Sequence, residues 1–230
     1  MTRTAPPPDS APGNARREPS ARMRAARTFV HRIGQRCAED RGTRAALRSG
    51  LGKPMDRLER MHRIVAPLLD DRILSDVEEQ RAYYAVAAMV ALTHDSDRPA
   101  GPPAPDHHAH LAPKTARYGT SLGRAFADAV AAGTSRGIRE SAAETRLNLL
   151  TRQSATGLHR HLPSAVRQLH TAGVAVDFAR LLSDIRSWRR YRGDVSRRWL
   201  QDFYSTRNRD ELQRARAADP DRDPGSDTAD

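Results

Sequence analysis

The chain predicts an all-α protein: a helical bundle in two parts, about eight or nine helices, between disordered N- and C-terminal tails. Three observations carry that prediction. Apolar residues recur at spacings of three and four, as in Phe178, Leu181, Leu182, Ile185 and Trp188. No segment alternates apolar and polar residues for long enough to make a strand. Stretches rich in Pro and poor in large apolar side chains then divide the chain. They set a disordered tail over 1–21, a helical domain over 22–96, a Pro-rich linker or loop over 97–115, a second helical domain over 116–207 and an acidic disordered tail over 208–230.

Each helix has its own signals. Phe29, Val30 and Ile33 open an amphipathic segment that ends near Glu39. Asp40 is placed to cap a short Arg-bearing helix, and Gly50 and Gly52 to end it. Pro54 suits the first turn of a helix carrying Leu58, Met61, Ile64 and Val65, which Pro67 ends or kinks. Ser75 or Asp76 caps a long helix running to about Thr93, apolar nearly all round at its end and therefore central to a core. Beyond the linker, Thr120 or Ser121 opens a helix through Leu122, Phe126 and Val130, stopped at Gly133. Ser135 begins another, with Ala143, Leu147 and Leu150 on one face. The next runs to Thr171 and starts at Leu158 or at Pro163. Asp177 caps the helix of the Phe178–Trp188 stripe, and Asp194 a last helix with Val195, Trp199, Leu200 and Phe203.

The formal net charge is +11, and its distribution matters more than its size. Residues 1–27 carry six Arg against Asp9 and Glu18, and residues 219–230 carry five Asp against Arg222, so the tails cancel. The helical body holds the whole excess, which draws polyanions to it. Lys53 and Lys114 are the only lysines; Arg supplies the other 37 of 39 basic residues. The single cysteine, Cys37, excludes an internal disulfide and a cysteine metal cluster, and is expected to pack as a small hydrophobe. The longest apolar run, Ala82 to Leu92, has 11 residues and is too short to span a bilayer. With no secretory apolar region at the N-terminus, a cytoplasmic location is expected.

No catalytic constellation stands out. His107, His108 and His110 lie in the Pro-rich stretch with only Asp106 beside them, and nothing there orients metal ligands. His159 and His161 point to opposite sides of a helix. Cys37 with His31 or His62 has no motif to support a nucleophile–base pair, and Asp95 and Asp97 after His94 read as a solvated helix end. No metal and no cofactor is expected. Near the C-terminus, Trp188, Tyr191, Trp199, Phe203 and Tyr204 alternate with Arg186, Arg189, Arg190, Arg192, Arg197 and Arg198. Trp188 continues an apolar stripe, so this region reads as a charged surface over an aromatic core, with Arg189 and Arg190 facing solvent.

The clearest functional signal is the row Arg41, Arg44 and Arg48, which shares one face of its helix beside Leu47 and Leu51. No carboxylate follows before Asp56, so the row suits a phosphate backbone. This segment, Asp-Arg-Gly-x-x-Ala-x-Leu-Arg over 40–48, precedes Ser121-Leu122-Gly123-Arg124-Ala125-Phe126-Ala127. The run Glu144 to Arg152 and the closing Arg197-Arg198-Trp199-Leu200-Gln201-Asp202-Phe203-Tyr204 follow. In that order and spacing the four segments resemble the CasB family, the small subunit of the type I-E CRISPR surveillance complex Cascade, over about residues 28–206. The resemblance implies an all-helical, two-part protein without catalytic activity. It implies two copies in a complex with a guide RNA, a repeated backbone subunit and a large subunit. Such subunits help hold the guide–target heteroduplex and the displaced DNA strand, stabilising the R-loop in antiviral defence. Arg48, Arg124, Arg146 and Arg152 stand at motif positions whose basic residues serve that role, joined here by Arg41 and Arg44 of the row. Two other readings compete with it: a helical DNA-binding transcriptional regulator, using the turn at Gly50–Pro54, and a metal-dependent nuclease built on the His-rich stretch.

Overall fold

A computed structural model describes residues 20–94, 119–132 and 137–218, and among these residues there are nine α-helices and no strand. The first part holds α1 (Ala21–Glu39), α2 (Arg41–Arg48), α3 (Glu59–Val65), α4 (Asp71–Leu74) and α5 (Val77–Thr93). The second holds α6 (Leu122–Ala131), α7 (Glu140–Thr151), α8 (Ala155–Thr171) and α9 (Phe178–Ala218). Pro67 does end α3: the chain leaves it at Val65 in a single 3₁₀ turn over Ala66–Leu68.

The helix starts follow cap chemistry. Asp40 accepts from Gly42 N and Thr43 N, Asp76 from Glu78 N and Glu79 N, and Ser121 from Arg124 N. Ser20 caps α1 in the same way. α8 begins at Ala155 under the Ser154 cap and carries Pro163 in its interior, earlier than either start read from the sequence. Gly133, Ser135, the Pro-rich stretch 97–115 and most of both tails lie outside the described residues.

α5 is the central pillar. Nine of its residues from Ala82 to Ala91 are buried, and it packs on α1, α2, α8 and α9. α1 lays Met23, Ala26, Phe29, Ile33 and Cys37 against it, with the Phe29 ring edge-on to Tyr83 at 4.8 Å between centroids. One cluster of buried apolar residues runs through both parts. The first stretch of α9 ties them further: Arg186 reaches back to α5, with Nη2 2.6 Å from Glu79 Oε1 and Nη1 donating to the Tyr83 hydroxyl.

α9 is not one straight rod. Tyr191 has non-helical dihedrals, φ −129° and ψ 32°, and divides it into two limbs. In a straight helix, residues 184 and 199 would stand about 22 Å apart. Here Trp199 Nε1 donates to Asp184 Oδ2 at 2.7 Å, and the Trp188 and Trp199 ring centroids are 5.1 Å apart. The limbs therefore fold back on each other. The second helix expected from the sequence is present, but the break falls at Tyr191. Asp194 pairs with Arg197 at 2.6 Å instead of capping. The second limb also runs to Ala218, eleven residues past the boundary at 207. Arg207, which is 6% exposed, grips Glu140 and Glu211 and carries the helix onward.

The second limb crosses α6 at very short range. A Cβ on Gly123 would sit 1.8 Å from the Trp199 carbonyl oxygen, so only hydrogen fits. Just before α6, Gly119 has φ +76° and lies against Asp177 at the start of the first limb. Asp177 accepts from Thr120 N at 3.0 Å and Arg180 N at 2.9 Å, clasping the starts of α6 and α9 together.

This packing makes two stability predictions. Gly123→Ala should cost about 3 kcal/mol or more, since backbone cannot yield as a side chain can; a urea midpoint shift measures it. His159 on α8 is 8% exposed, and burial, then the Arg81 charge, lowers its pKa to about 4. The unfolded chain then takes up this proton near pH 6.5 while the native one does not. Its contribution is fully present above pH 6.5 and is lost as pH falls toward 4, at most about 3 kcal/mol. His159→Leu should flatten that part of the stability–pH curve in denaturant titrations between pH 7 and pH 4.

Candidate nucleic-acid interface

The six arginines singled out from the sequence are placed very differently. Arg41, at the start of α2, is exposed with no partner among the described residues. Arg44 is only 7% exposed, with Nη1 3.4 Å from His94 Nδ1. Arg48 keeps an exposed edge, but its Nε donates to the Ala91 carbonyl at 2.7 Å and its Nη2 to the carbonyls of Leu92 and His94. In its inner two members the row also serves as a helix clamp. The last carbonyls of α5 have no intrahelical donors, and α5 has no basic residue of its own in its last turn. α2 supplies that positive charge from 43 residues upstream in sequence.

α2 packs one face on α5 and leaves Arg41, Gly42, Ala45 and Arg48 exposed on the other; the Gly50–Pro54 turn after it leads into a 3₁₀ turn, Met55–Arg57, and not directly into a second helix. Cys37 is fully buried; burial pushes its thiol up to about 11, outweighing the nearby Arg44 and Arg48, so it is no nucleophile at neutral pH. His62 is bonded to the Tyr84 hydroxyl at 2.7 Å. Among the described residues no three His, Cys, Asp or Glu gather as metal ligands. His107, His108, His110, Asp95 and Asp97 lie outside those residues.

In the second part, Arg124 is half-buried, with Nε 2.7 Å from Asp128 Oδ1 one turn on. Arg146 is half-buried on α7 without a partner among the described residues. Arg152 is exposed as the C-cap of α7, its backbone N–H bonded to the Leu150 carbonyl. The neighbours of Arg152 matter most. Ser196 Oγ donates to the Thr151 carbonyl at 3.2 Å and Trp188 Nε1 to the Gln153 carbonyl at 3.1 Å. These bonds set Arg152 beside the fold-back of α9.

At that fold-back Arg189, Arg190, Tyr191 and Arg192 are all exposed, Tyr191 at 57%. None of the three arginines has a partner among the described residues. By contrast, Arg186, Arg197 and Arg198 of the same stretch are bound to Glu79, Asp194 and Asp184. Trp188, Trp199 and Phe203 are buried. The reading of a charged surface over an aromatic core holds, and the break leaves three exposed arginines flanking the exposed Tyr191, with the backbone around Arg152 bonded to residues on both sides of the break. The sequence already sets the three arginines beside Tyr191, but it carried no sign that Arg152 lies near them, because that depends on the tertiary fold. Such a cluster matches phosphate groups by charge and a base by its ring.

Comparison with known proteins agrees with this architecture. A family model described as CRISPR-associated protein Cse2 matches residues 43–204. Among solved structures, a chain of a CRISPR RNA-guided surveillance complex in a pre-nicking state is 31% identical with a TM-score of 0.67, covering 84% of this chain and 98% of that one. A Cse2-family protein from Thermus thermophilus is 25% identical with a TM-score of 0.55, covering 78% and 97%. CasB of M. ruber, at 24% identity and a TM-score of 0.62 over 85% and 99%, shares the fold. Among curated proteins, no match is found.

The clamp assignment has a direct test. Arg48→Ala should lower stability by about 1–2 kcal/mol through the lost carbonyl bonds, while leaving the salt dependence of nucleic-acid binding as in the unaltered chain. Denaturant midpoints and a salt titration of binding check both halves.

Proposed function

The chain belongs to the Cse2 (CasB) family of CRISPR-associated proteins, and on that premise we propose that it is the non-catalytic small subunit of a type I-E Cascade complex. It binds guide-RNA, target-DNA and displaced-strand backbones without sequence specificity and so stabilises the R-loop. The similarity to a chain of an RNA-guided surveillance complex over nearly that chain's whole length supports the assembly. The single observation that carries the binding role is the fold-back of α9, with Arg189, Arg190 and Arg192 exposed around Tyr191 and Arg152 alongside.

Guide pairing supplies sequence recognition in such assemblies, so an accessory subunit has only to follow backbones. That calls for fixed arginines on rigid helices and for no reaction centre, in keeping with the inert Cys37 thiol. Arg41 and Arg146 are further candidate contacts, on other helices. Arg124, held by Asp128, contributes less charge to a strand than its neighbours. In this reading the partners are the repeated backbone subunit, the large subunit, a second copy of the chain, the guide RNA and the target DNA. The location is cytoplasmic, and no described helix is long and apolar enough to cross a membrane.

The test is a salt titration of binding by the full chain to a mixed-sequence single strand, with R-loop lifetime read in the assembled complex. Replacing Arg189, Arg190 and Arg192 together by Ala should flatten the log–log salt slope by about 2, at roughly 0.7 per lost phosphate contact, and shorten the R-loop lifetime. A slope and lifetime equal to those of the unaltered chain would remove the fold-back from the interface.

A further inference from the structure

A cavity of about 220 Å³ lies between the Gly50–Pro54 turn, α5 and the first turns of α8. Its wall carries Lys53, Arg81 and Arg160 and no carboxylate. Arg160 has no partner among the described residues. Two of the lining residues, Arg81 and His159, each also bury a polar atom, Nε and Nδ1, that has no hydrogen-bond partner among the described residues. Arg81 is otherwise held only by a 3.4 Å contact from Nη1 to Thr156 Oγ1. Buried groups left unsatisfied cost about 1–3 kcal/mol each, and native structures keep few of them without a reason.

The wall chemistry narrows the occupant. Three cationic side chains with no acid among them call for an anion, and they exceed what one carboxylate neutralises. An imidazole held neutral at pH 7 adds a polar atom that can donate or accept as its tautomer requires. The volume equals about seven waters at roughly 30 Å³ each, enough for a tetrahedral oxyanion with a small attached group. Leu51, Pro54, Tyr84 and Pro163 give the remaining wall an apolar surface on which a sugar or base can rest.

From this geometry we propose that the cavity binds a single phosphate group, carried by a free mononucleotide or by a nucleic-acid strand. The proposal goes beyond the backbone-tracking role: it concerns a separate pocket on α5 and α8, and it stands if the α9 fold-back touches no nucleic acid.

The experiment uses the full chain, unaltered and as Arg160→Ala, Arg81→Gln and, as a charge control on the same helix, Arg167→Ala. The probes are adenosine monophosphate, inorganic phosphate and a mixed-sequence oligonucleotide. Calorimetry measures affinity, and the His159 imidazole resonances report occupancy. The expected result is one saturable site for adenosine monophosphate, weakened at least tenfold by Arg160→Ala and by Arg81→Gln but not by Arg167→Ala, with the His159 resonances shifting on binding. If the mononucleotide and inorganic phosphate do not bind, while Arg160→Ala weakens the oligonucleotide and the oligonucleotide shifts His159, the phosphate is that of a strand. Arg160 is exposed, so its variant, checked for unchanged helicity, carries the test even if Arg81→Gln folds poorly. Affinities for all three probes unaffected by Arg160→Ala, or His159 resonances that none of them moves, would overturn the proposal.

Discussion

Asp184 is the point on which the second part of the molecule turns. It is 2% exposed and accepts from Arg180 Nε at 3.0 Å, Arg198 Nη2 at 3.2 Å and Trp199 Nε1 at 2.7 Å. Arg180 stands before the bend of α9, and Arg198 and Trp199 stand after it. One buried carboxylate therefore pins both limbs. Burial pushes its pKa up, and the Arg180 charge, the Trp199 N–H and Arg198 oppose that push. Such a group is stable only with all its donors in place, since a buried charge that loses one partner is left uncompensated. Trp199 extends the constraint outward: its ring lies against Trp188, and its carbonyl meets α6 where Gly123 leaves room for nothing larger than hydrogen. Bend, crossing and aromatic core are one linked arrangement.

Much of this was legible in the sequence, and what was not shares a physical cause. Asp40, Asp76, Ser121 and Asp177 were readable as caps because a cap acts on N–H groups two or three residues away. The apolar stripes of α1, α7 and α9 were readable because periodicity is local. The clamp role of Arg48 was not legible because its partners are backbone carbonyls at the end of α5, and a carbonyl leaves no mark on the residue type that bears it. The bend at Tyr191 was placed three residues late, near Asp194, because the carboxylate that fixes it lies back at Asp184. The last helix outran its boundary at 207 because the support for it, Glu140 beneath Arg207, lies 67 residues upstream in sequence.

Counting what each arginine holds separates architecture from function better than counting arginines. Arg36 donates to the Ile64 carbonyl, Arg48 to the end of α5, Arg186 to Glu79, and Arg207 to Glu140. These join elements remote in sequence, and in Arg48, Arg186 and Arg207 the planar guanidinium fork satisfies two or more acceptors from one rigid group. A lysine at these positions would keep the charge and lose the second bond. The body's positive charge is in this sense partly internal mortar. Its outward share is smaller than the net charge suggests, and three exposed members of it, Arg189, Arg190 and Arg192, flank Tyr191 at the α9 bend.

The arrangement of that group depends on the bend being rigid as well as present. In an unbroken helix, Arg189 and Arg192 would lie about 60° apart on one face, with Arg190 turned about 100° away from Arg189. The non-helical Tyr191 changes the direction of the chain between Arg190 and Arg192, so residues on both limbs reach the same end of the molecule. Trp188 at 2% exposure and Val195 at 1% bury the chain on either side, which holds the intervening loop within seven residues of fixed core. Side chains anchored so close to packed backbone lose little further freedom when they meet phosphate, and less of the interaction energy is spent on ordering them. The tightness of the Asp184–Trp199 core and the openness of the arginine cluster are therefore two sides of the same bend.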